Sequence, residues 1–383
     1  MKKLIPLLTA AIMLSACINE NNTHTQDAEA DAAKVPVSQA WEGWEELQGK
    51  SFGNAFTMPE KLDPVIADEL YSFEMLPRKD FDSEAEAKKY FKLVFGDDYD
   101  EKNIVMQETE NGDHYHYSVG ENDSIFSDFS YGTPVNFGSK DNGMLGNNGY
   151  RLRSRYSCEA DRDVMLEIGT ENLTVGQAGE AAAEYCKRLL DGHFTELELF
   201  PFRVDLCYNA DKDDYAASVV LGWKYKGTVI EVSDTYLEDV ETRDFYDVFT
   251  AYCPIYLFLD LYGSDDARFM MTACADKDIA AEKLDKIIPL KEAVALMEKK
   301  LARYSGYKFS KVQLIYCNKH SYPVMGPDSG KNESILADYG EVKNTPYVPT
   351  WVFAVGDELS VNDLFYSVKV NAVTGEITVD KGA

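Results

Sequence analysis

The chain has 383 residues, of which 45% are hydrophobic and 12% aromatic, and its formal net charge is −28. This apolar content is sufficient to build packed cores, and the length predicts two or three domains instead of one. The strong negative charge repels phosphate backbones and anionic lipid headgroups, which argues against nucleic acid as a partner.

The N-terminus has the pattern of an export leader. A basic start precedes an apolar stretch that is too short to span a bilayer. This stretch ends in Leu14-Ser-Ala-Cys17, which resembles the lipobox of bacterial lipoproteins at each position. The resemblance implies that signal peptidase recognises Leu14, Ser15 and Ala16, and that Cys17 carries a lipid anchor. An ordinary secretory peptide that contains a cysteine is the alternative.

Aromatic residues are concentrated where the folded part is predicted to begin. Trp41 and Trp44 lie close to Phe52 and Phe56. Aromatic faces can stack on sugars or peptides, which makes Trp41 and Trp44 candidate ligand-binding residues. More often such clusters cover a core, and we take that as the default.

A possible metal site lies in Asp113-His-Tyr-His116. In a strand, His114 and His116 would lie on the same face and could bind one zinc ion. A third ligand is not evident nearby, so an exposed strand face is the favoured interpretation. We therefore predict no metal and no cofactor.

Two segments share a helix start. Thr174-Val-Gly-Gln-Ala178 and Pro289-Leu-Lys-Glu-Ala293 each precede apolar residues at helical spacing. Thr174 and Gln177 form a predicted capping box, whereas Pro289 suits the first helical turn.

Two similar strands follow these helices. Val204-Asp-Leu-Cys-Tyr208 and Val312-Gln-Leu-Ile-Tyr316 both alternate with period two. Each precedes a strand that contains a tryptophan, Trp223 or Trp351. A helix from Ser83 onward and three later strands suggest a third copy, although it shares no sequence signature with the others.

The C-terminal end resembles a known group of domains. Pro349-Thr-Trp351 and Val370-Asn-Ala-Val-Thr-Gly-Glu-Ile377 resemble the end of PepSY-like domains, and they are similar to the extracytoplasmic YycI-type regulators of Gram-positive bacteria. The resemblance covers residues 287–380 and, more loosely, 172–235. It implies protein binding or inhibition outside the membrane, with no catalytic residues. The chain departs from these regulators because its leader predicts a lipid anchor in place of a transmembrane helix.

The predicted fold is α+β, built of tandem units of one helix packed on an antiparallel sheet. The predicted domains follow in chain order: a signal peptide (1–16), a lipidated cysteine and flexible tether (17–40), an N-terminal α+β unit (41–150), and two PepSY-like units (151–286 and 287–383). The six cysteines beyond Cys17 have no diagnostic spacing, so we expect buried free thiols, with disulfides as the alternative.

The expected function is that of a non-catalytic lipoprotein, anchored on the extracytoplasmic face of the cell membrane, that binds an envelope protein or peptide. Two alternatives remain. One is a peptide- or glycan-binding lipoprotein that uses the aromatic face of Trp41 and Trp44. The other is a metal-dependent hydrolase centred on His114 and His116.

Overall fold

A computed structural model describes residues 32–75, 84–95, 97, 99–109, 112–119, 125–130, 133–139, 151–168, 171–189, 196–231, 256–262, 266–272, 279–303, 306–318, 346–355 and 367–379. The α-helices in these ranges are α1 (Glu84–Phe95), α2 (Val175–Leu189) and α3 (Leu290–Lys300). The strands are β1 (Val35–Pro36), β2 (Ser51–Phe52), β3 (Phe56–Thr57), β4 (Leu70–Met75), β5 (Ile104–Thr109), β6 (Gly112–Val119), β7 (Ile125–Ser130), β8 (Thr133–Ser139), β9 (Arg151–Ser157), β10 (Met165–Ile168), β11 (Glu171–Thr174), β12 (Leu197–Asn209), β13 (Asp214–Tyr225), β14 (Thr228–Val229), β15 (Tyr256–Tyr262), β16 (Asp266–Thr272), β17 (Ile279–Leu284), β18 (Lys286–Ile287), β19 (Tyr307–Asn318), β20 (Tyr347–Val355), β21 (Ser367–Asn371) and β22 (Ile377–Val379).

Three larger sheets and two short ribbons contain these strands. The eight-stranded sheet has the order β17-β4-β20-β19-β3-β2, and β21 and β22 extend it from β20. The six-stranded sheet has the order β16-β15-β13-β12-β9, with β14 paired to β13, and the four-stranded sheet has the order β5-β6-β7-β8. The ribbons are β1-β18 and β10-β11. Almost all pairs are antiparallel, and β19 with β3 is a parallel exception.

The predicted α+β fold of tandem helix-on-sheet units is wrong, because the described chain is mostly β and its three helices do not define separate units. Strands from distant segments complete the sheets: β4 and β17 join the eight-stranded sheet, and β15, β16 and β9 join the six-stranded one. The physical reason is that an open strand edge needs a partner strand. The local apolar pattern of a strand does not show where in the chain its partner lies.

Helix α2 begins as its sequence predicts. The backbone N–H of Gln177 donates to Thr174 Oγ1 at 3.2 Å, and the N–H of Thr174 donates to Gln177 Oε1 at 2.8 Å. This reciprocal pair confirms the capping box, which satisfies donors that the first turn leaves without helical acceptors. Val175, Ala178 and Ala182 are buried along one stripe of the helix.

Helix α3 begins one residue later than predicted. Pro289 is the extended N-cap residue and Leu290 is the first helical residue. The predicted stripe is confirmed, because Leu290, Met297 and Leu301 are fully buried. The apolar spacing of α2 extends in the sequence to Leu189, whose side chain is outside the described set.

The two strands that contain a tryptophan follow equivalent strands along the chain, but the tryptophans pair at different positions relative to the bulges. A β-bulge lies between Pro201 and Arg203 of β12, and another lies between Phe309 and Lys311 of β19. Trp223 of β13 pairs with Leu199, before the first bulge, whereas Trp351 of β20 pairs with Leu314, after the second bulge. Both indoles are buried, but at different levels of their hairpins.

A cluster of aromatic side chains joins the two larger sheets. Ile230 bridges to Tyr316 in parallel fashion, which brings the end of the β13–β14 region against β19. Phe73 of β4 contacts the rings of Tyr225 and Tyr316 at centroid distances of 4.4 and 4.9 Å. The Tyr316 hydroxyl accepts a hydrogen bond from the N–H of Tyr71 at 3.2 Å.

Helix α1 packs on the four-stranded sheet. Ala87 and Phe91 are buried as the predicted stripe requires, and Phe91 lies 5.4 Å from the ring of Tyr117 on β6. The chain continues this sheet after β7, because residues 133–139 form β8. In the part of the chain that the structure describes, no helix combines the length and apolarity needed to cross a bilayer.

Candidate functional site

An exposed apolar pair lies in the segment that connects β3 to β4. The 62–70 loop begins and ends at buried leucines, Leu62 and Leu70. Between them, 74% of Val65 and 62% of Ile66 is exposed, the two largest exposures among the large apolar residues of the described chain. Single exposed apolar residues are common on protein surfaces, but two adjacent ones on a fixed backbone form a candidate docking surface.

Trp41 fixes the backbone of this loop. Its indole Nε1 donates to the carbonyl of Val65 at 3.0 Å, and the N–H of Leu62 donates to Gln48 Oε1 at 3.0 Å. These bonds satisfy polar groups of a loop that has no regular partner strand. The 62–70 loop is therefore ordered by its neighbours before any partner binds.

Trp41 is itself supported by the eight-stranded sheet. Its ring meets that of Trp351 edge to face at 4.9 Å, and the Trp351 indole donates to the carbonyl of Ile288 at 2.8 Å. Only 4% of Trp41 is exposed, so the residue lies in the core and not on a stacking platform. Trp44 is partly buried and packs against the same core. Of the two candidate aromatics, Trp41 thus contributes to the site by supporting the loop.

Charged groups border the apolar pair. Asp63 and Asp68 are exposed on either side of it. Glu69 forms an ion pair with Lys283 and accepts a hydrogen bond from the Tyr71 hydroxyl. The hydrogen bond from Lys283 is the main reason that the pKa of Glu69 lies below its usual value, and the bond to Glu69 raises the pKa of Tyr71. An apolar centre with a charged rim is the usual arrangement of a protein interface.

Val65 and Ile66 are not among the candidate residues that the sequence predicts. The available signal was Asp63-Pro-Val-Ile-Ala-Asp68, where two bulky apolar residues follow a proline and stand between aspartates without strand or helix periodicity. Such a segment predicts a loop, and apolar residues in a loop are worth testing as a contact surface. The hydrogen bond from Trp41 that holds this loop joins residues far apart in the chain, so no local sequence pattern predicts it.

The two histidines of the predicted metal site lie on β6, and the side chain of His114 is outside the described set. His116 is half-buried and pairs in register with Val105 of β5 and Asp128 of β7. Among the described residues, no group of three or more histidines, cysteines or carboxylates is arranged to hold a metal ion. The predicted lipidation site Cys17 and the recognition residues Leu14, Ser15 and Ala16 lie outside the described residues.

Three of the cysteines confirm the prediction of buried free thiols: Cys158, Cys207 and Cys317. Burial raises the pKa of Cys158 to about 12, and it raises the pKa of Cys317 well above the usual range. Because the thiolate is the reactive form, both groups are poor nucleophiles at neutral pH.

A small polar cluster lies near the Cys317 thiol. After burial, the negative charge of Glu231 is the largest cause of the raised pKa of this thiol. Glu231 forms a half-buried ion pair with Lys369 at 2.7 Å. The lysine thus holds the carboxylate that would have to act as a base, while burial keeps the thiol protonated. This arrangement stabilises the contact between the two larger sheets and does not resemble an activated nucleophile.

A second buried ion pair lies within β12. Arg203 Nη2 donates to Asp205 Oδ2 at 2.7 Å, and both side chains are almost fully buried. Arg155 of β9 approaches the same carboxylate, with its Nε at 3.7 Å from Oδ1. The carboxylate is shared between two strands and is placed to hold β9 against β12.

Comparisons with known proteins give a weak structural similarity and no family. No family model and no curated protein matches the chain. The chain is similar to a crystal structure of an uncharacterized protein from Eubacterium rectale, with 12% sequence identity and a TM-score of 0.45, over 85% of this chain and 91% of that one.

Proposed function

We propose that this chain is a lipid-anchored extracytoplasmic protein that binds a protein or peptide of the envelope and catalyses no reaction. The observation that carries the proposal is the pair Val65 and Ile66, which Trp41 holds in an exposed position. The anchor rests on the leader sequence, in which Leu14-Ser-Ala-Cys17 resembles a lipobox. The resemblance of the C-terminal segment to PepSY-like domains, which implies protein binding outside the membrane, supports the same class of function.

The energetics favour a partner with an apolar patch. Full burial of a valine or isoleucine side chain contributes about 1.5–3 kcal/mol. Much of this contribution is retained in binding when the loop is already ordered, because little conformational entropy is then lost. The acidic residues beside the pair, Asp63 and Asp68, favour a partner whose rim is basic and disfavour an anionic lipid surface.

Site-specific photo-cross-linking in the native envelope tests this proposal. A photoreactive amino acid replaces Ile66 in the anchored protein, and a second protein carries it at Lys89, an exposed position of α1. We expect a discrete cross-linked band from position 66 and none from position 89. The band should disappear when Trp41→Phe removes the hydrogen bond to the carbonyl of Val65.

Two outcomes would contradict the proposal. Equal cross-linking from positions 66 and 89 would show random encounter. Labelling of lipid alone from position 66 would show that the apolar pair meets the membrane and not a protein. Thermal unfolding of the Trp41→Phe protein shows whether the whole protein is destabilised. An unchanged melting temperature means that only the loop is affected.

The anchor is tested separately. Cys17→Ala removes the thiol that receives the lipid, so we expect the protein to leave the membrane fraction or to remain unprocessed. Normal maturation with full membrane association would refute lipid anchoring.

A further inference from the structure

The segment that leads from the predicted tether into the fold is packed against the core. Residues 35–40 begin with β1, which pairs with β18, and they continue through Val37 and Ala40, both of which are buried. We call residues 35–40 the strap. The next residue is Trp41, whose indole binds the 62–70 loop. The strap therefore lies between the N-terminal tether and the residue that orders the docking loop.

The N-terminus of α3 holds the chain on both sides of Trp41. The N–H of Leu290, the first residue of α3, donates to the carbonyl of Ala40 at 2.9 Å. This donor has no acceptor within its own helix, so the bond satisfies both groups. On the other side of Trp41, Lys291 forms an ion pair with Glu46 at 2.8 Å. The position of the indole thus depends on the contact between the strap and α3.

The strap is held more weakly at its N-terminal end than at Trp41. β1 has two residues, and one of them, Pro36, has no N–H to donate to β18. Val35 is half-buried and Pro36 is exposed. Trp41, by contrast, packs edge to face on Trp351 in the core. Because short ribbons with few hydrogen bonds open at a lower free energy than a core, we expect the strap to open from β1.

We propose that the strap regulates the 62–70 loop in response to tension on the tether. A protein that is anchored at Cys17 and bound to an envelope partner is loaded through the strap, because the chain enters the fold through these residues. Opening of the strap breaks the hydrogen bond between Ala40 and Leu290 and allows Trp41 to leave the loop.

The loss of Trp41 from the loop changes the energetics of docking. Without the indole, the carbonyl of Val65 loses its donor, and the loop gains conformations that the bound state excludes. A partner must then order the loop as it binds, which lowers the affinity. Tension therefore releases the partner from Val65 and Ile66. This mechanism deepens the proposed function and rests on it for the anchor and the partner.

Force spectroscopy on the chain from residue 17 onward tests whether the strap opens first. One handle is attached at position 17 and the other at Glu298, an exposed residue of α3, so that the pull acts across the strap. We expect a reversible extension of about 20 Å, the length of about seven extended residues, before the fold unfolds.

A covalent lock supplies the matched control. Val35→Cys/Ile287→Cys joins two residues that pair across β1 and β18, so the oxidised protein should lack the extension and the reduced protein should show it. Absence of the extension in the wild type, or its persistence in the oxidised variant, would overturn the proposed opening of the strap.

Spin-label mobility at position 66 tests whether opening of the strap frees the loop. A nitroxide amino acid replaces Ile66, and Val37→Asp places a charge in the buried part of the strap, which should open it. We expect the rotational correlation time of the nitroxide to fall at least twofold. Val355→Asp, at a half-buried valine of β20 outside the strap, is the control and should leave the mobility unchanged.

Two results of this measurement would overturn the inference. Unchanged mobility in a folded Val37→Asp protein would show that the strap caps α3 without controlling the loop. An equal increase in Val37→Asp and Val355→Asp would show general destabilisation. Thermal unfolding verifies folding, and the milder Val37→Ser carries the same expectation if Val37→Asp does not fold. Neither experiment needs a partner, so cross-linking from position 66 still decides the proposed function separately.

Discussion

The two regions that begin with α2 and α3 have the same order of elements but different packing. In each, a helix is followed by a long bulged strand, β12 or β19, and by a strand that carries a buried tryptophan, β13 or β20. The position after the shared alanine is Gly179 in α2 and Val294 in α3. A similar local pattern is therefore compatible with two different helix–sheet contacts.

The residue volume at this position accounts for the difference. A Cβ atom at Gly179 would lie 2.8 Å from Pro201 Cβ and 3.0 Å from Cys158 Sγ, so α2 approaches β12 too closely for any side chain there. Val294, by contrast, is a buried side chain that occupies the corresponding position of α3. Small residues allow close backbone approach, and larger ones fill the gap that a more distant helix leaves.

The faces that point away from the helices differ in polarity. On β12 this face carries the buried ion pair of Arg203 and Asp205. On β19 the corresponding face carries a small apolar cluster that includes Ile315 and Cys317. The position that matches Asp205 in β19 is Gln313, which is half-buried. The β12 face thus reaches its edge strand β9 through charge, whereas the matching face of β19 contacts β20 through apolar side chains.

Removal of the Asp205 carboxylate should give the largest effect. Asp205→Leu leaves the buried guanidinium of Arg203 without this acceptor, and the loss of one partner of a buried pair typically costs about 3–5 kcal/mol. Gln313→Leu, at the matching position, should change the free energy of unfolding by about 1 kcal/mol or less. Urea denaturation followed by circular dichroism measures both.

A double variant sharpens this result. Arg203→Met/Asp205→Leu removes both charges and should recover much of the stability that Asp205→Leu loses, since the desolvation cost of the arginine disappears. Equal losses for Asp205→Leu and Gln313→Leu would remove the electrostatic difference between the two sheets.

A smaller effect on stability is expected from a substitution where α2 lies close to β12. Gly179→Ala introduces a Cβ against the rigid ring of Pro201, and overpacking of this kind costs about 1–3 kcal/mol. This cost exceeds the gain of about 1 kcal/mol in helix propensity. Glu184→Ala, on the exposed side of the same helix, serves as the control and should be close to neutral in thermal unfolding. Stabilisation by Gly179→Ala would show that α2 can move away from β12.

The smallest effect on stability is expected from a substitution at the N-terminus of α2. The Thr174 hydroxyl accepts a hydrogen bond from the N–H of Gln177, whereas the N-cap residue of α3, Pro289, makes no side-chain bond. Thr174→Ala should therefore lower the free energy of unfolding by about 0.5–2 kcal/mol, measured in urea. Thr174→Ser keeps the oxygen and should restore most of the loss. A neutral Thr174→Ala would mean that packing alone holds this end of α2.

Local structure was largely predictable from the sequence. The capping box at Thr174 and Gln177, the apolar stripe of α3 through Leu301, and the period-two segments from Val204 and Val312, which lie inside the longer strands β12 and β19, all depend on neighbours within a few residues. Backbone geometry relates such positions directly, with a period of 3.6 in helices and two in strands. The sequence by itself therefore determined that helices and strands form at these places and which of their faces are apolar, although β12 and β19 begin earlier than the local pattern indicates.

Tertiary structure decided which segments meet. The pairing of β4 with β17 joins residues some two hundred positions apart, as in Leu70 with Leu284, and it makes the fold mostly β instead of a row of helix-on-sheet units. The same is true of the candidate site, where Trp41 lies between Val65 and Trp351. Contacts of this kind depend on the shape and the free edges of the assembled sheets, and many partners satisfy the same local pattern, so no periodicity along the chain could specify them.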